Sequence, residues 1–449
     1  MFRTAVIILV SNKTPAVKTE KGIREFLIPQ LNILNFEVKK LLIKAEQELL
    51  SLEFNTLSKQ YDILLIVGEL NNNIILNALG NICCKEIKIK DVLTLKTESD
   101  LQGMLPPTAK LLTSDNLPFP VIYLQRIFIL KEDILEEQFN HVLKKHLQQY
   151  ALEPLFKKVI KVHLNGNSNK IVDTLKKLVH LELQSEDSVS NLIVSSPKFE
   201  NLVECEKKLK HELNENFIES SESIDVLRSI YESTDQKIVS SLEVIEKCLD
   251  SYGPDNTFLS FNGGKDCTVL LHLVYTVLKV KYPDYKKPII CLYVKSKETF
   301  EEQDTFISQC SIFFNLNIIE ITSDIKNALN NVITTQPNLK AVFMGTRRTD
   351  PYSQHLDMFQ MTDPNWPQIM RVSPLLDWHF SDIWDYLLFY KVPYCKLYDL
   401  GYTSLGSSSN TVRNPSLAYF DTNQGKNVYL PAYKLINESE ERSGRNIGK

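Results

Sequence analysis

The sequence predicts an α/β protein of two domains with largely parallel sheets and flanking helices. Short β-branched runs alternate with segments of helical period, the pattern of strand–helix–strand units. The alternation stops at a small polar stretch and then restarts. The 449 residues, 43% of them hydrophobic, suffice for more than one core at about 100–200 residues per domain.

In the first half, Thr4–Val10, Phe36–Ile43, Tyr61–Gly68, Val121–Leu130, Lys158–Leu164 and Ser190–Ser195 predict strands. Glu132–Tyr150 and Asn169–Leu183 predict helices. The stretch Phe217–Asp225, with Glu219, Ser220, Ser221, Glu222 and Ser223, reads as a linker between domains 1–220 and 225–449, placed to within about ten residues. A long helical pattern, Val226–Asp250, follows. The alternation then resumes with strand Thr257–Phe261, helix Cys267–Tyr282, strand Pro288–Val294, helix Glu298–Phe314, strand Asn317–Ile321, helix Asp324–Thr335 and strand Lys340–Gly345. From Arg347 onward Pro, Trp, Tyr, Asp and Asn crowd irregular runs, broken by one helical segment, Phe380–Tyr390. Long loops after the last strands are where α/β proteins place their ligand chemistry.

Composition excludes several classes. Lys and Arg number 51 against 55 Asp and Glu, a formal charge of -4 without single-sign blocks, which is a poor footprint for nucleic acid. The eight cysteines form no C-x-x-C pair, and the eight histidines are scattered, so reduced thiols and no structural zinc are expected. The early apolar run Ala5–Val10 is far short of the roughly 20 residues of a membrane helix. A soluble cytoplasmic protein without membrane partners is the expectation.

The sharpest local feature is Ser260-Phe261-Asn262-Gly263-Gly264-Lys265-Asp266-Cys267, between an apolar strand and a helix carrying Leu270, Leu271, Val274 and Leu278. Adjacent glycines allow close backbone approach, and a helix start favours phosphate. Lys265 adds a charge, while Asp266 is placed to orient Mg2+ or to cap the helix. Neither a G-x-x-x-x-G-K-[ST] nor a G-x-G-x-x-G loop is present. From the glycines alone an ordinary strand–helix turn stays equally open.

This octapeptide resembles the pyrophosphate loop of the ATP pyrophosphatase superfamily, which includes phosphoadenylylsulfate reductases, and specifically its FAD synthase branch. The resemblance continues through Gly345-Thr346-Arg347-Arg348-Thr349-Asp350-Pro351, Asp363, Trp366-Pro367, Met370 to Trp378, Asp382-Ile383-Trp384, Tyr394 to Gly406, Asn414-Pro415 and Glu441-Arg442-Ser443-Gly444-Arg445. It covers roughly residues 235–447. It implies a pyrophosphate-loop (adenine nucleotide alpha hydrolase-like) domain that joins FMN to the AMP part of ATP, giving FAD and pyrophosphate with Mg2+. Ser260, Asn262, Gly263, Gly264, Lys265 and Asp266 are then assigned to ATP phosphates and metal. Asp350 is assigned to the flavin ring, Gly345 and Trp378 to the nucleotide pocket, and Arg347, Arg348, Arg442 and Arg445 to phosphates or flavin. The arginine tail has no evident packing anchor and is expected to order when flavin binds. Without the resemblance, Asp350 reads equally well as the start of a turn, Trp366, Trp378 and Trp384 as packing, and the tail as solvated.

Residues 1–200 resemble, in order and spacing, the molybdopterin-binding-type domain that precedes the synthase in animal FAD synthases, through Met104-Leu105-Pro106, Ala109 and Val121–Leu130. Such domains carry a Gly-Asp-Glu turn and a Gly-Gly-x-Gly-Pro-Thr loop, and some hydrolyse FAD. Here Ser11-Asn12-Lys13 and Val67-Gly68-Glu69-Leu70-Asn71 stand instead, so a degenerate domain with a structural or dimerising role is expected. Client flavoproteins are the implied takers of the product. Two rivals are a non-catalytic flavin nucleotide binder and a phosphoadenylylsulfate reductase-like enzyme. The latter needs a reactive C-terminal cysteine, and the sequence after Cys395 has none.

Overall fold

The structure, a computed structural model, describes residues 3–10, 17–44, 56–58, 60–68, 109–114, 117–124, 126–151, 156–163, 174–186, 189–421 and 426–445. The chain divides into two compact units, Met1–Glu153 with Asn414–Ser443, and Pro154–Arg413 with Gly444–Lys449. Ser11-Asn12-Lys13, Glu69-Leu70-Asn71, Cys83, Cys84 and Met104-Leu105-Pro106 lie outside the described residues.

The first unit holds strands β1 (Arg3–Val10), β2 (Phe36–Lys44), β3 (Ile63–Gly68), β4 (Lys110–Leu112), β5 (Val121–Leu124) and β6 (Ile127–Lys131). They form one sheet in the order β2-β1-β3-β6-β5-β4, with β2, β1, β3 and β6 parallel. Ala5 to Val10 are all buried, as expected of a central strand covered on both faces, whose sequence is a continuous apolar run. The stretch expected as one strand, Val121–Leu130, is instead a hairpin, with Ile122 opposite Ile129; the polar Arg126 interrupts the apolar run where the chain turns. The segment Asn414–Ser443 folds with this unit. Its Lys434 donates to the Tyr61 carbonyl, the Arg126 guanidinium lies 4.6 Å from the Tyr433 ring centre, and Ile436 packs on the sheet's apolar cluster.

The second unit begins with a four-stranded antiparallel sheet, β10-β7-β9-β8, made of β7 (Phe156–Val162), β8 (His180–Glu186), β9 (Val189–Ser196) and β10 (Phe217–Ser221). Two expectations fail here. Asn169–Leu183 is expected to be helical from the sequence, yet its end enters β8, where Leu181 and Leu183 alternate with polar neighbours at a period of two. The polar stretch Phe217–Asp225 contributes an edge strand rather than a linker, a place where small and charged residues are at home. Helix Phe199–Leu213 covers this sheet and sets Phe199 5.0 Å, centre to centre, from Phe313. The expected long helix Val226–Asp250 is two helices, Ile224–Tyr231 and Gln236–Tyr252. Asp235 starts the second by accepting the Lys237 N–H at 2.9 Å.

The rest of the unit is a six-stranded sheet of β11 (Thr257–Ser260), β12 (Ile289–Val294), β13 (Leu316–Ile321), β14 (Ala341–Phe343), β15 (Phe359–Met361) and β16 (Met370–Val372). Its order is β13-β12-β11-β14-β16-β15, parallel except for β15. Helix Lys265–Lys281, buried at every residue from Cys267 to Leu278, is apolar nearly all round, as a helix enclosed by others must be. Its one buried imidazole, His272, is satisfied by Tyr386 at 2.8 Å and Glu222 at 3.0 Å. The six described cysteines are free and buried. Among the described residues no helix is long and apolar enough to cross a membrane.

Lys158 on β7 and Glu206 on helix Phe199–Leu213 form an ion pair only 1% and 0% exposed, with Ser220 of β10 donating to the same carboxylate. Burial alone would raise the Glu206 carboxyl, but Lys158 and Lys210 hold it below the usual range. Removing one partner strands a buried charge. Glu206→Ala is therefore expected to cost about 3–5 kcal/mol in urea unfolding, and the paired change Lys158→Met with Glu206→Leu to recover most of it. A loss under about 1 kcal/mol for Glu206→Ala would contradict this role.

Candidate functional site

The order of the large sheet creates the site. After β11 the chain builds β12 and β13 on one side, then crosses to place β14 on the other. The loops at the carboxyl ends of β11 and β14 therefore flank a topological switch point, the crevice where open α/β sheets bind ligands.

The β11 loop is held from several directions. Asn262 Oδ1 accepts the Gly264 N–H at 2.9 Å and the Cys267 thiol at 3.0 Å, while its own carbonyl accepts from Gln303 Nε2 at 2.6 Å. Gly263 has φ +72°, and a Cβ there would stand 2.9 Å from Ile307, so both conformation and space demand glycine. The Tyr398 hydroxyl accepts the Lys265 N–H at 2.8 Å, occupying the first donor of the helix. Burial, then Asp266 nearby, pushes that phenol far above its ordinary range, so it stays neutral.

Three charges meet at the helix start. Lys265 Nζ lies 3.0 Å from one Asp266 oxygen and Arg347 Nε 2.8 Å from the other. The Lys265 and Arg347 side chains are only 2% and 1% exposed, against 22% for Asp266. Desolvation acts to raise the Asp266 carboxyl, but Arg347 and Lys265 outweigh it and keep it below the usual carboxylate range. The Lys265 ammonium also sits 5.2 Å from the Phe380 ring centre, a desolvated cation–π contact. Two cations thus flank the one Asp266 carboxylate.

The structure brings together Asn262, Gly263, Gly264, Lys265, Asp266 and Arg347, with Ser260 ending β11 beneath them. Gly345 belongs to the same junction, since a Cβ there would stand 3.0 Å from the Cys267 nitrogen. Asp350 Oδ2 accepts the Arg347 N–H at 2.9 Å and so closes the β14 loop on itself. Arg348 braces that loop, reaching Asp377 at 2.5 Å and the Leu356 carbonyl at 2.9 Å. Trp378, expected in the nucleotide pocket, is 4% exposed and donates its indole N–H to Ser241 Oγ at 2.9 Å, a packing position in the core. Asp266, expected as the Mg2+ ligand, faces a cation with each oxygen, which does not fit an inner-sphere divalent ion. Among the described residues no group of three or more His, Cys, Asp and Glu side chains is disposed to hold a metal.

The tail arginines part company. Arg442 belongs to the segment that folds with the first unit. Arg445 pairs with Thr411 in an antiparallel bridge and donates to the Leu405 carbonyl at 2.8 Å. The expected unanchored tail is thus anchored at Arg445, by residues on a loop far away in sequence. Sequence reasoning also assigned no role to Gln303, Ile307 and Tyr398; only Tyr398 carried a signal, inside the Tyr394–Gly406 motif.

The two glycines separate in a test. Gly263→Ala is expected to cost about 1–3 kcal/mol in thermal melts, because it combines positive φ with contact against Ile307. At Gly264 a Cβ would stand 2.9 Å from Asn262 Oδ1 and 3.6 Å from the Tyr398 hydroxyl, but φ is -72°, so alanine there should cost less than at Gly263 by about 1 kcal/mol, the share of the positive φ. Equal losses at the two positions would contradict the loop geometry.

Residues 256–413 match the phosphoadenosine phosphosulfate reductase domain family. A probable FAD synthase of Schizosaccharomyces pombe is 41% identical over 210 residues, 46% of this chain and 77% of its own length. The flavin adenine dinucleotide synthase of Saccharomyces cerevisiae is 32% identical over 219 residues, 43% of this chain and 71% of its own. A probable FAD synthase of Caenorhabditis elegans is 41% identical over 211 residues, 47% of this chain, and the match spans only 40% of that relative's length.

Proposed function

The chain belongs to the FAD synthase family, and from that membership we propose that it is an FMN adenylyltransferase making FAD and pyrophosphate from FMN and ATP. The observation that carries this reading is the Lys265–Asp266–Arg347 cluster on a glycine loop at the sheet's switch point. Two basic side chains, a helix start and close backbone approach suit a polyphosphate.

An oxygen of the FMN phosphate attacks the α-phosphorus of ATP. The new P–O bond forms as the bond to the bridging oxygen breaks, and the electron pair leaves with pyrophosphate. The nucleophile is already mostly ionised at neutral pH, since the second pKa of a phosphomonoester is about 6. The protein therefore supplies alignment and cations rather than a general base. Lys265 and Arg347 are assigned to the departing charge, Asp266 to positioning both, and the Asn262–Gly264 turn to room for the phosphates. As the family resemblance implies, Asp350 is kept for the flavin ring and Arg348 and Arg445 for phosphates or flavin, with Asp350 and Arg348 also shaping the β14 loop. Mg2+ is taken as a companion of the ATP phosphates, the usual manner of its binding, with no protein ligand assigned.

The rival reductase reading needs a reactive thiol. Burial pushes the Cys395 thiol up to about 11, the opposite of an activated nucleophile. For residues 1–220 we keep a structural or dimerising role without FAD hydrolysis, with cytoplasmic residence and delivery of FAD to client flavoproteins as further parts of the proposal.

Incubation with FMN, ATP and Mg2+ followed by chromatography of flavins tests the reading. FAD and pyrophosphate should appear in equal amounts, and riboflavin, which lacks the attacking phosphate, should not be accepted. Lys265→Ala should lower kcat by roughly 10²–10³-fold. Turnover of riboflavin at a comparable rate, or an unchanged kcat for Lys265→Ala, would contradict the assignment.

A further inference from the structure

Five described residues other than glycine have positive φ: Asn35, Asn214, Asn315, Tyr352 and Lys391. Asparagine tolerates that region. Lys391 follows helix Phe380–Phe389, whose end is closed by the Val392 N–H reaching back to the Leu387 carbonyl, a common setting for a left-handed residue. Tyr352 has neither excuse. It is third in the turn Asp350-Pro351-Tyr352-Ser353, closed by the Ser353 N–H on the Asp350 carbonyl at 3.2 Å. Proline second and positive φ third, here +64°, is the arrangement in which glycine is favoured.

Its ring is 100% exposed, so packing does not compensate for the backbone cost. The loop around it is over-determined: Asp350 accepts from Arg347, and Arg348 grips Asp377 and the carbonyls of Gln354 and Leu356. Strain that the surroundings enforce is a mark of function. The position agrees, because this is the loop after β14, on the far side of the switch point from β12. Past the carboxyl end of β12, Tyr293, Lys295 and Thr299 are each bonded to Asp304, whereas the β14 side offers an exposed aromatic face two residues beyond Asp350.

We propose that Tyr352 is a substrate-positioning residue that stacks on the isoalloxazine ring of FMN, while the phosphates reach toward Lys265 and Arg347. The proposal rests on the reading of the site as an FMN adenylyltransferase. A rigidly presented aromatic loses little freedom on binding and gives the flat ring of FMN a surface to stack on.

The test uses the full-length protein and FMN as the probe, followed by flavin fluorescence and by steady-state kinetics. Tyrosine in contact with a flavin quenches its emission, and phenylalanine stacks without quenching. Tyr352→Phe should keep the KM for FMN within about twofold yet brighten bound FMN. Tyr352→Ala should raise the KM for FMN roughly tenfold, the size of one lost stacking contact, and leave the KM for ATP unchanged. Tyr352→Gly should do the same while raising the Tm, since it relieves the turn. Unaltered FMN affinity in Tyr352→Ala, a rise in the KM for ATP instead, or an effect seen only in binding to a flavin-accepting protein would overturn the proposal. Should the wild type bind FMN but make no FAD, the proposed function fails, and the fluorescence arm still decides the stacking.

Discussion

Asp266 holds together two cations that water scarcely reaches. Lys265 comes from the residue before it and Arg347 from the far side of the sheet's switch point. Burying a lone ammonium or guanidinium is costly, and pairing makes it tolerable. This single constraint ties the β11 loop to the β14 loop.

The surrounding architecture keeps that cluster in place. Helix Lys265–Lys281 starts at the cluster and is enclosed almost completely, so its first turn has little freedom to shift. Tyr398 fixes the Lys265 N–H, Gln303 fixes the Asn262 carbonyl, and Ile307 fills the space beside Gly263. The β14 loop is braced in the same spirit by Asp350 and Arg348. Preorganisation of this kind lowers the reorganisation required when charge develops on a leaving group.

The large parallel sheet was legible because its strands are short apolar runs and its helices carry a strong period. The glycine motif was legible because strand, tight turn and helix start follow one another directly. What escaped were features set by partners distant in sequence. Tyr398 and Gln303 lie 133 and 41 residues from the groups they bind, and nothing local announces such bonds. Asp266 was read as a metal ligand because its cationic neighbour Arg347 is 81 positions later in the sequence. The edge strand Phe217–Ser221 looked like a linker because an edge tolerates polar residues. The hairpin at Arg126 looked like one strand because two apolar runs adjoin. The segment Asn414–Ser443 carries no signal that it folds with the first unit.

Asp266 and Arg347 act as one element of the site. A double-mutant cycle with Asp266→Asn, Arg347→Met and the pair, read by chemical unfolding, measures this directly. A coupling of roughly 1–3 kcal/mol is predicted, since each single change leaves the other partner buried beside a missing countercharge. Additivity within about 0.5 kcal/mol would show that the two groups merely lie near each other, and the claim would fall.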